Sequence, residues 1–361
     1  MNLIKWISGR LLYSLAVIFG VVSLIFFLFN VLPGDPARMM LGQRADLNTV
    51  EVIRQELGLN KPLSMQYLRY INDLSPLSFY QQKNTGSYFY LDNSKYQNAK
   101  IIFSLKNGFT MVLKKPWLGK SFQSQKAVTE IIGEAFPNTL ILALTSILIA
   151  FFLGISLGII AAIRRDSLYD KLSLLFSAIG MSLPSFFAAI LIAWFFAYKL
   201  GDITHLNITG NLFEVDDLGR GVSLELKNLI LPSITLGIRP LSVVIQLSRN
   251  SMLEVLSQDY IRTAYAKGLS YHRVIFLHAL RNSLNPVITA VSGWFASMLA
   301  GVVFVEYIFG WKGLGYMLVN ALNFYDLPVV LGCVLTTATI FVVMNISIDI
   351  IYAFLDPRIR K

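Results

Sequence analysis

Six long runs of apolar residues constrain this chain more than any other feature of its sequence. They are Leu11–Leu32, Thr139–Ile163, Leu172–Tyr198, Leu229–Leu247, Leu284–Val305 and Leu327–Phe354. Each run is long enough to cross the hydrocarbon core of a bilayer, which takes about 20 residues. Backbone groups in lipid must be hydrogen-bonded within the protein, so runs of this length are helical. We therefore predict an all-α polytopic membrane protein with about six transmembrane helices.

Composition and charge agree with a membrane protein. Charged residues make up only 14% of the 361 positions, while 55% are hydrophobic, which leaves too few charges for the surface of a soluble protein. The net charge of +10 comes from basic residues that flank the apolar runs, so it does not indicate nucleic-acid binding. The single cysteine, Cys333, cannot form an internal disulfide.

The basic residues also predict how the chain is oriented. They concentrate before the first run, between the second and third, between the fourth and fifth, and after the sixth. Basic short loops stay in the cytoplasm, so both termini and the segment Asp259–Asn282 are predicted to be cytoplasmic. The first run is longer than the apolar part of a signal peptide, and we interpret it as an uncleaved anchor.

The long loop between the first two runs then lies on the outer side of the membrane. Its first part reads as short amphipathic helices broken by Gly58 and Pro62, and Ser78–Leu113 reads as a small β-rich insert. Packing on the membrane face and docking of a partner both remain open for it. We divide the chain into residues 1–32, the outer loop 33–134 with its insert near 75–115, and a membrane core 135–361 that carries a cytoplasmic segment at 254–282.

The cytoplasmic segment reads as two amphipathic helices separated by Gly268. Asp259 is predicted to cap the first, and Gly268 suits the left-handed position that ends a helix. The second is predicted to start at Ser270 and to leave four side chains available for contact: Val274, Ile275, Leu277 and His278. The pattern fits a helix lying on acidic lipid as well as one inserted in a groove of a cytosolic protein.

Two residues inside the apolar runs are candidates for the translocation path or its gate. Pro184 can bend the third span and free a carbonyl group. Arg239 lies in the fourth run, where a charge is costly and tends to face a wet cavity, although a structural ion pair or snorkelling explains it equally well.

No catalytic or cofactor motif occurs in the sequence. There is no Walker A pattern, no metal-binding histidine pair at i, i+4 spacing, and no nucleophile with an identifiable base. "GWKGLG" (Gly310–Gly315) follows a membrane span rather than a buried strand, so we interpret it as a turn at the outer membrane surface. We expect the chain to bind no cofactor and to carry no catalytic site.

The segment "DYIRTAYAKGLSYHRVIFLHALRNSLNPVIT" resembles the cytoplasmic EAA-type loop of ABC-importer permeases, in the dipeptide, oligopeptide and nickel branch. "GRLLYSLAVIFGVVSLIFFLFNVLPGDPA" resembles the first span of that branch, and "VEYIFGWKGLGYMLVNAL" and "DIIYAFLDPRIR" resemble its late turn and C-terminus. The matches follow the family's order over most of the chain.

The resemblance implies a type I ABC-importer permease fold in a bacterial inner membrane. It implies a transport subunit, not an enzyme, with three kinds of protein partner: a second permease (either a different chain or a copy of this one), two cytosolic ATPases that hold ATP and Mg²⁺, and a solute-binding protein or lipoprotein outside. It also implies contact with membrane lipid and none with nucleic acid. The solute would be a peptide, a nickel chelate or another small molecule.

The same resemblance assigns coupling to the ATPases to the EAA-type loop. The residues it marks are Asp259, Tyr260, Arg262, Thr263, Ala264, Lys267, Gly268 and Leu269. The EAA positions themselves read Arg262-Thr263-Ala264, a form usual in this branch. Residues 75–115 are expected to have no counterpart in the family. The alternative function is a secondary transporter or a membrane enzyme that acts without ATPase partners.

Overall fold

The computed structural model describes residues 3–31, 46–82, 84, 86–92, 95–96, 99–105, 108–215 and 221–355. Most of the described chain is helical, as predicted. The end of the first predicted span at Leu32 and the basic C-terminal residues after Leu355 lie outside the described part.

The helices are numbered here in chain order. They are α1 (Leu3–Val31), α2 (Leu47–Leu57), α3 (Leu63–Leu74), α4 (Val128–Ile163), α5 (Leu168–Ser182), α6 (Ser185–Ile192), α7 (Gly201–Thr204), α8 (Lys227–Leu256), α9 (Asp259–Ala266), α10 (Tyr271–Arg273), α11 (Leu280–Gly301), α12 (Val303–Ile308), α13 (Leu314–Asn323) and α14 (Leu327–Leu355). π-helical turns at Ala193–Lys199 and Val274–Ala279 continue α6 and join α10 to α11. The strands are β1 (Leu77–Gln81), β2 (Lys100–Ser104), β3 (Phe109–Leu113), β4 (Phe213–Val215) and β5 (Val222–Leu224).

Within the described residues, five helical stretches are long and apolar enough to cross a membrane. They are Ser8–Leu28, Val128–Ile163, Lys227–Leu256, Tyr271–Leu299 and Leu327–Ile350. A sixth would be the pair Leu168–Ser182 and Ser185–Lys199, which is bent by 113°. The prediction of about six spans is therefore confirmed, with the third drawn as a sharply broken pair rather than one kinked helix.

The helix that contains the second predicted span begins eleven residues before that span. The sequence placed its start at Thr139, after Pro137, but α4 begins at Val128 and contains that proline. A proline removes one hydrogen bond from a helix and does not force it to end there, so the helix extends beyond the predicted span.

The described residues form two compact units, divided near residues 134, 316 and 339. The first is built mainly from Ala135–Tyr316 together with the chain from Ile340 onward. Its apolar core includes Leu142, Leu231, Val305, Phe309 and Trp311.

Small residues set the closest helix packing in this first unit. Gly154 and Gly158 lie on one face of α4, and a Cβ atom on Gly158 would lie 2.6 Å from the Ile245 carbonyl oxygen of α8. α5 and α8 also pack along their length, with Gly180 lying against Ser242. Such pairs let helix backbones approach closely in a membrane.

The second unit comprises Ser8–Glu134 and Met317–Thr339. Its short helices confirm the sequence reading: Gly58 ends α2 with a φ of +70°, and Pro62 precedes α3. The β-rich insert is also confirmed as an antiparallel sheet with strand order β1-β3-β2.

The insert is held together by an unusual polar centre. Asp73, at the end of α3, accepts hydrogen bonds from Tyr80 Oη, Tyr96 Oη and Lys95 Nζ at 2.8, 2.6 and 3.2 Å. Burial raises the pKa of both tyrosines and lowers the pKa of Lys95. The hydrogen bonds stabilise these polar groups in the interior of the insert.

Candidate functional site

The segment from Ser257 to Asn282, called the loop segment below, lies at the surface of the first unit between α8 and α11. Its first helix, α9, has two inward side chains: Ile261 and Ala264 are 1% and 7% exposed. They pack with Met252 of α8 and with Val274 and Ile275. The helix is therefore fixed to its own bundle along one face.

The opposite face of α9 is exposed. The side chains on it include five of those that the resemblance marks: Asp259, Tyr260, Arg262, Thr263 and Lys267. Of the remaining three, Gly268 is exposed, Leu269 is half-buried against the bundle, and Ala264 is buried. The Ala264 side chain thus contacts this chain's own helices.

α9 ends in the way the sequence predicted. Gly268 has a φ of +77°, its N–H donates to the Tyr265 carbonyl at 2.9 Å, and the Leu269 N–H donates to the Ala264 carbonyl at 3.3 Å. This pair of bonds is a Schellman motif, which satisfies the last carbonyls of a helix and turns the chain sharply.

The start of α9 differs from the prediction. Gln258 occupies the N-cap position without a side-chain bond, and Asp259 is the first helical residue. Its carboxylate still lies near the positive end of the helix dipole and pairs with Arg262 at 3.6 Å. Because both side chains are largely exposed, this pair contributes little to stability.

Fewer side chains in the second half of the loop segment are exposed for contact with a partner than the sequence predicted. Val274 and Ile275 are 0% and 2% exposed, because they pack against α8 and α9. Leu277 and its neighbour Phe276 are the exposed apolar residues, and His278 is half-buried. The helical period places consecutive residues on different faces, and only the fold decides which face is covered.

An ion pair that the sequence did not predict joins α8 to α5 just before the loop segment. Arg249, near the end of α8, donates from Nε and Nη2 to the two Asp170 carboxylate oxygens at 2.5 and 2.8 Å. The two side chains are 14% and 3% exposed. The pair joins the start of α5 to the part of α8 that leads into α9. In the sequence, the helix-capping pattern Ser167-x-x-Asp170 could have identified Asp170, but no pattern identifies Arg249 as its partner.

Pro184 lies at a break between two helices, whereas Arg239 lies within a continuous helix. Pro184 is the N-cap residue of α6, at the 113° break that follows α5. Arg239 is exposed in the middle of α8, beside the buried Pro240. Within the described parts of the chain no acidic side chain forms an ion pair with Arg239.

The turn at 309–316 is organised by a buried carboxylate, Glu306, which the sequence reading did not select. One Glu306 oxygen accepts from Thr139 Oγ1 at 2.7 Å, and the other accepts from the N–H groups of Gly315 and Tyr316 at 2.7 and 3.2 Å. Trp311, also buried, donates from Nε1 to the Asn138 carbonyl. Burial raises the pKa of Glu306 to about 7, although these hydrogen bonds act in the opposite direction.

No metal centre is found in the part of the chain that the structure describes, where no three histidine, cysteine, aspartate or glutamate residues come together as ligands.

Comparison with known proteins covers almost the whole chain. The family model "Binding-protein-dependent transport system inner membrane component" matches residues 154–361, and its N-terminal counterpart matches residues 3–113. The latter match includes most of residues 75–115, so the expectation that this stretch has no counterpart in the family is wrong.

Three curated relatives illustrate the similarity. A dipeptide transport system permease protein of Alkalihalophilus pseudofirmus is 32% identical and covers 99% of this chain and 100% of its own length. A di/tripeptide transport system permease protein of Pseudomonas aeruginosa is 34% identical, with 99% of each chain covered. A glutathione transport system permease protein of Escherichia coli is 32% identical, again over 99% of each.

Proposed function

Because the chain belongs to the family of binding-protein-dependent transport system inner membrane components, we propose that it is the permease subunit of an ATP-driven importer for peptides or similar small solutes. The chain would form part of the translocation path and carry out no chemistry itself. ATP and Mg²⁺ would be held by its partner ATPases. The relatives' names, which include dipeptide and glutathione transport, support a small peptide as the solute.

The loop segment carries the proposal for coupling. It combines an exposed polar face on α9 with an apolar face that is packed on the bundle. A helix of this kind can move with the membrane helices while its outer face contacts a cytosolic ATPase. Only contacts that differ between the open and closed ATPase dimer can shift the permease between its two orientations.

The proposed assembly contains a second permease, two ATPases and an extracytoplasmic binding protein, with both termini of this chain in the cytoplasm. In that orientation the loop segment faces the ATPases. The break at Pro184 and the exposed Arg239 are proposed to lie along the translocation path or at its gate. The alternative, a secondary transporter or membrane enzyme that acts alone, predicts no dependence on an ATPase.

The first experiment tests recruitment of the ATPase. Co-expressed complexes with Arg262→Glu would be purified through the permease, and the retained ATPase would be measured. We expect about a tenfold loss, which corresponds to about 1.4 kcal/mol at the contact. Arg165→Glu is the matched control, because that arginine is also exposed but lies in the short turn before α5. Equal retention in the two variants would contradict the assignment.

The second experiment uses the backbone of Gly268. Its φ of +77° suits glycine and is tolerated by asparagine, but it is strained for a β-branched residue. Gly268→Val should therefore disturb the end of α9 and lower solute uptake. Gly268→Asn should preserve the end of α9 and normal uptake. Normal uptake and full assembly in the valine variant would count against coupling through this segment.

A further inference from the structure

The sheet of the insert, formed by β1, β2 and β3, exposes an apolar face. In its register, Phe79 and Phe103 both pair with Met111, and Leu77 and Lys100 both pair with Leu113. Cross-strand partners project from the same side of a sheet, so these residues form two adjacent rows. Four of the apolar side chains are between 43% and 48% exposed: Leu77, Phe79, Phe103 and Leu113.

On β1 and β3 the other face of the same sheet is covered, whereas all five residues of β2 are exposed. Ser78, Tyr80, Thr110 and Val112 alternate with the exposed residues and are at most 2% exposed. An antiparallel sheet with one covered face normally presents polar residues on the other. An exposed apolar face instead indicates a surface that something else covers.

The sheet is tied to a membrane span through α3. Ser23 Oγ of α1 lies 2.5 Å from Tyr67 Oη of α3. The ring of Phe26, also on α1, lies 5.1 and 5.4 Å from the rings of Tyr67 and Tyr70 on α3. Ser23 and Phe26 belong to the apolar stretch Ser8–Leu28. At 1.5 Å per residue, Ser23 lies only about 7.5 Å from the end of that stretch. With the end of that stretch taken as the membrane surface, the tyrosine face of α3 lies near the boundary of the membrane, where tyrosines concentrate.

β1 is hydrogen-bonded directly to the same helix. The Phe79 N–H donates to Asn72 Oδ1 at 2.8 Å, and Asn72 Nδ2 donates to the Phe79 carbonyl at 3.0 Å. Asn72 follows Tyr67 by five residues, or about 7.5 Å along the helix. The polar headgroup layer on each side of a bilayer is about 5–8 Å thick. Phe79 is thus held within the depth of the interface or at its edge.

Charge indicates which surface fits this face. Between Pro76 and Lys120 the sequence has seven lysines and a single acidic residue, Asp92. Two of these lysines, Lys95 and Lys114, donate hydrogen bonds inside the insert, which leaves five others. Lys100 lies at the edge of the apolar face itself. Apolar area together with basic residues is the combination that binds anionic lipid.

We propose that the apolar face of the insert sheet, formed by Leu77, Phe79, Phe103, Met111 and Leu113, rests in the headgroup region of the bilayer beside α1. Lipid is then the partner of this face, and the insert is a second membrane attachment next to the first span. The proposal depends only on membrane insertion and stands whether or not the chain couples to an ATPase.

The test measures what covers the sheet in the assembled complex. Phe79→Cys and Phe103→Cys would be spin-labelled in the full chain with its partner subunits, in nanodiscs containing anionic lipid. The native Cys333 is buried, and the unmodified chain measures its background labelling. We expect both labels to collide frequently with oxygen, which concentrates in lipid, and rarely with a water-soluble nickel chelate.

Asn84→Cys is the matched control, because that residue is exposed but lies off the sheet. Its label should respond to the nickel chelate instead. A water-exposed pattern at positions 79 and 103 would overturn the proposal. Shielding of both labels from both reagents would also overturn it, since a protein partner would then cover the face. Quenching of Phe103→Trp fluorescence by brominated lipid gives an independent second reading.

Discussion

Glu306 shows how one residue can fix a turn that the sequence only outlines. Its two carboxylate oxygens collect the Thr139 hydroxyl and the N–H groups of Gly315 and Tyr316, at the start of α13. Gly313 and Gly315 have no room for a side chain, because a Cβ on either would meet the Glu306 carboxylate or the Val303 backbone. The last two glycines of "GWKGLG" are therefore explained by close packing around a carboxylate, whereas Gly310 has a φ of +64°.

We predict that Glu306 makes stability depend on pH. Its folded pKa of about 7 exceeds the ordinary 4.5, so the folded state binds the proton more tightly between these values. Protonated Glu306 therefore adds to the free energy of unfolding at low pH. This contribution, at most about 3 kcal/mol, is lost as pH rises through about 7. The thermal unfolding midpoint of the purified chain should therefore decrease as the pH is raised from 5 to 8.

Glu306→Gln should remove this dependence while preserving the turn. The amide oxygen can accept from Gly315 and Tyr316, and the amide N–H can donate to Thr139 Oγ1. The difference in midpoint between wild type and variant should therefore grow between pH 5 and pH 8. If the two proteins keep a constant difference across this range, Glu306 is not the group responsible.

At the scale of elements, α8 is the central helix of the first unit. α5 and α11 pack against it along their length, α4 approaches it at Gly154 and Gly158, and it leads directly into α9. Two kinds of contact fix it: close backbone approach at glycines, and the buried pair Asp170–Arg249. Movement of α9 would be passed to the bundle through α8, to which it is joined, and through the π-helical turn at Val274–Ala279, against which it packs.

We predict that the contact between α4 and α8 tolerates no added side chain at Gly158. Gly158→Ala would place a methyl group 2.6 Å from the Ile245 carbonyl oxygen, so a helix must shift. Overpacking of this kind costs about 1–3 kcal/mol. Gly133→Ala on the same helix has open space around it and should not lower the unfolding midpoint. Equal midpoints for the two variants would argue against the close packing.

We also predict that Arg249→Met strongly destabilises the chain. It would leave the Asp170 carboxylate buried and unpaired, which costs about 3–5 kcal/mol. Adding Asp170→Leu should recover much of the loss, since no buried charge then remains. A double-mutant cycle on unfolding midpoints measures the coupling, and purely additive effects would show that the two side chains do not interact.

The exposed pair Asp259–Arg262 is the matched comparison for this cycle. Its side chains are 96% and 78% exposed, so Arg262→Met should leave the unfolding midpoint unchanged. The same arginine is proposed to matter for ATPase recruitment, so stability and assembly can be separated at this position.

At the scale of the whole molecule, the described residues contain five or six candidate membrane spans, and the chain belongs to the family of binding-protein-dependent transport system inner membrane components. We predict that the purified chain in proteoliposomes takes up no dipeptide in a proton or sodium gradient. Uptake should appear only when the second permease, the ATPases, the binding protein and internal ATP are all present. Uptake by the chain alone would instead support the secondary-transporter alternative.

The sequence by itself determined the number and nature of the spans, the β-rich insert and the left-handed end of α9. These depend on local composition: apolar length, strand alternation and a glycine at a helix end. Family resemblance added the prediction that the loop segment couples to ATPases, because its residues follow one another in the chain. No contact between distant residues was needed for any of these predictions.

Only the tertiary structure decided which faces are covered and which charges meet. Asp170 and Arg249 are 79 positions apart, and Thr139 and Glu306 are 167 apart, so no sequence period connects either pair. For the same reason Val274 and Ile275 could be predicted as apolar but not as buried against α8 and α9. Burial and pairing depend on where separate helices pack, and a single sequence does not record that arrangement.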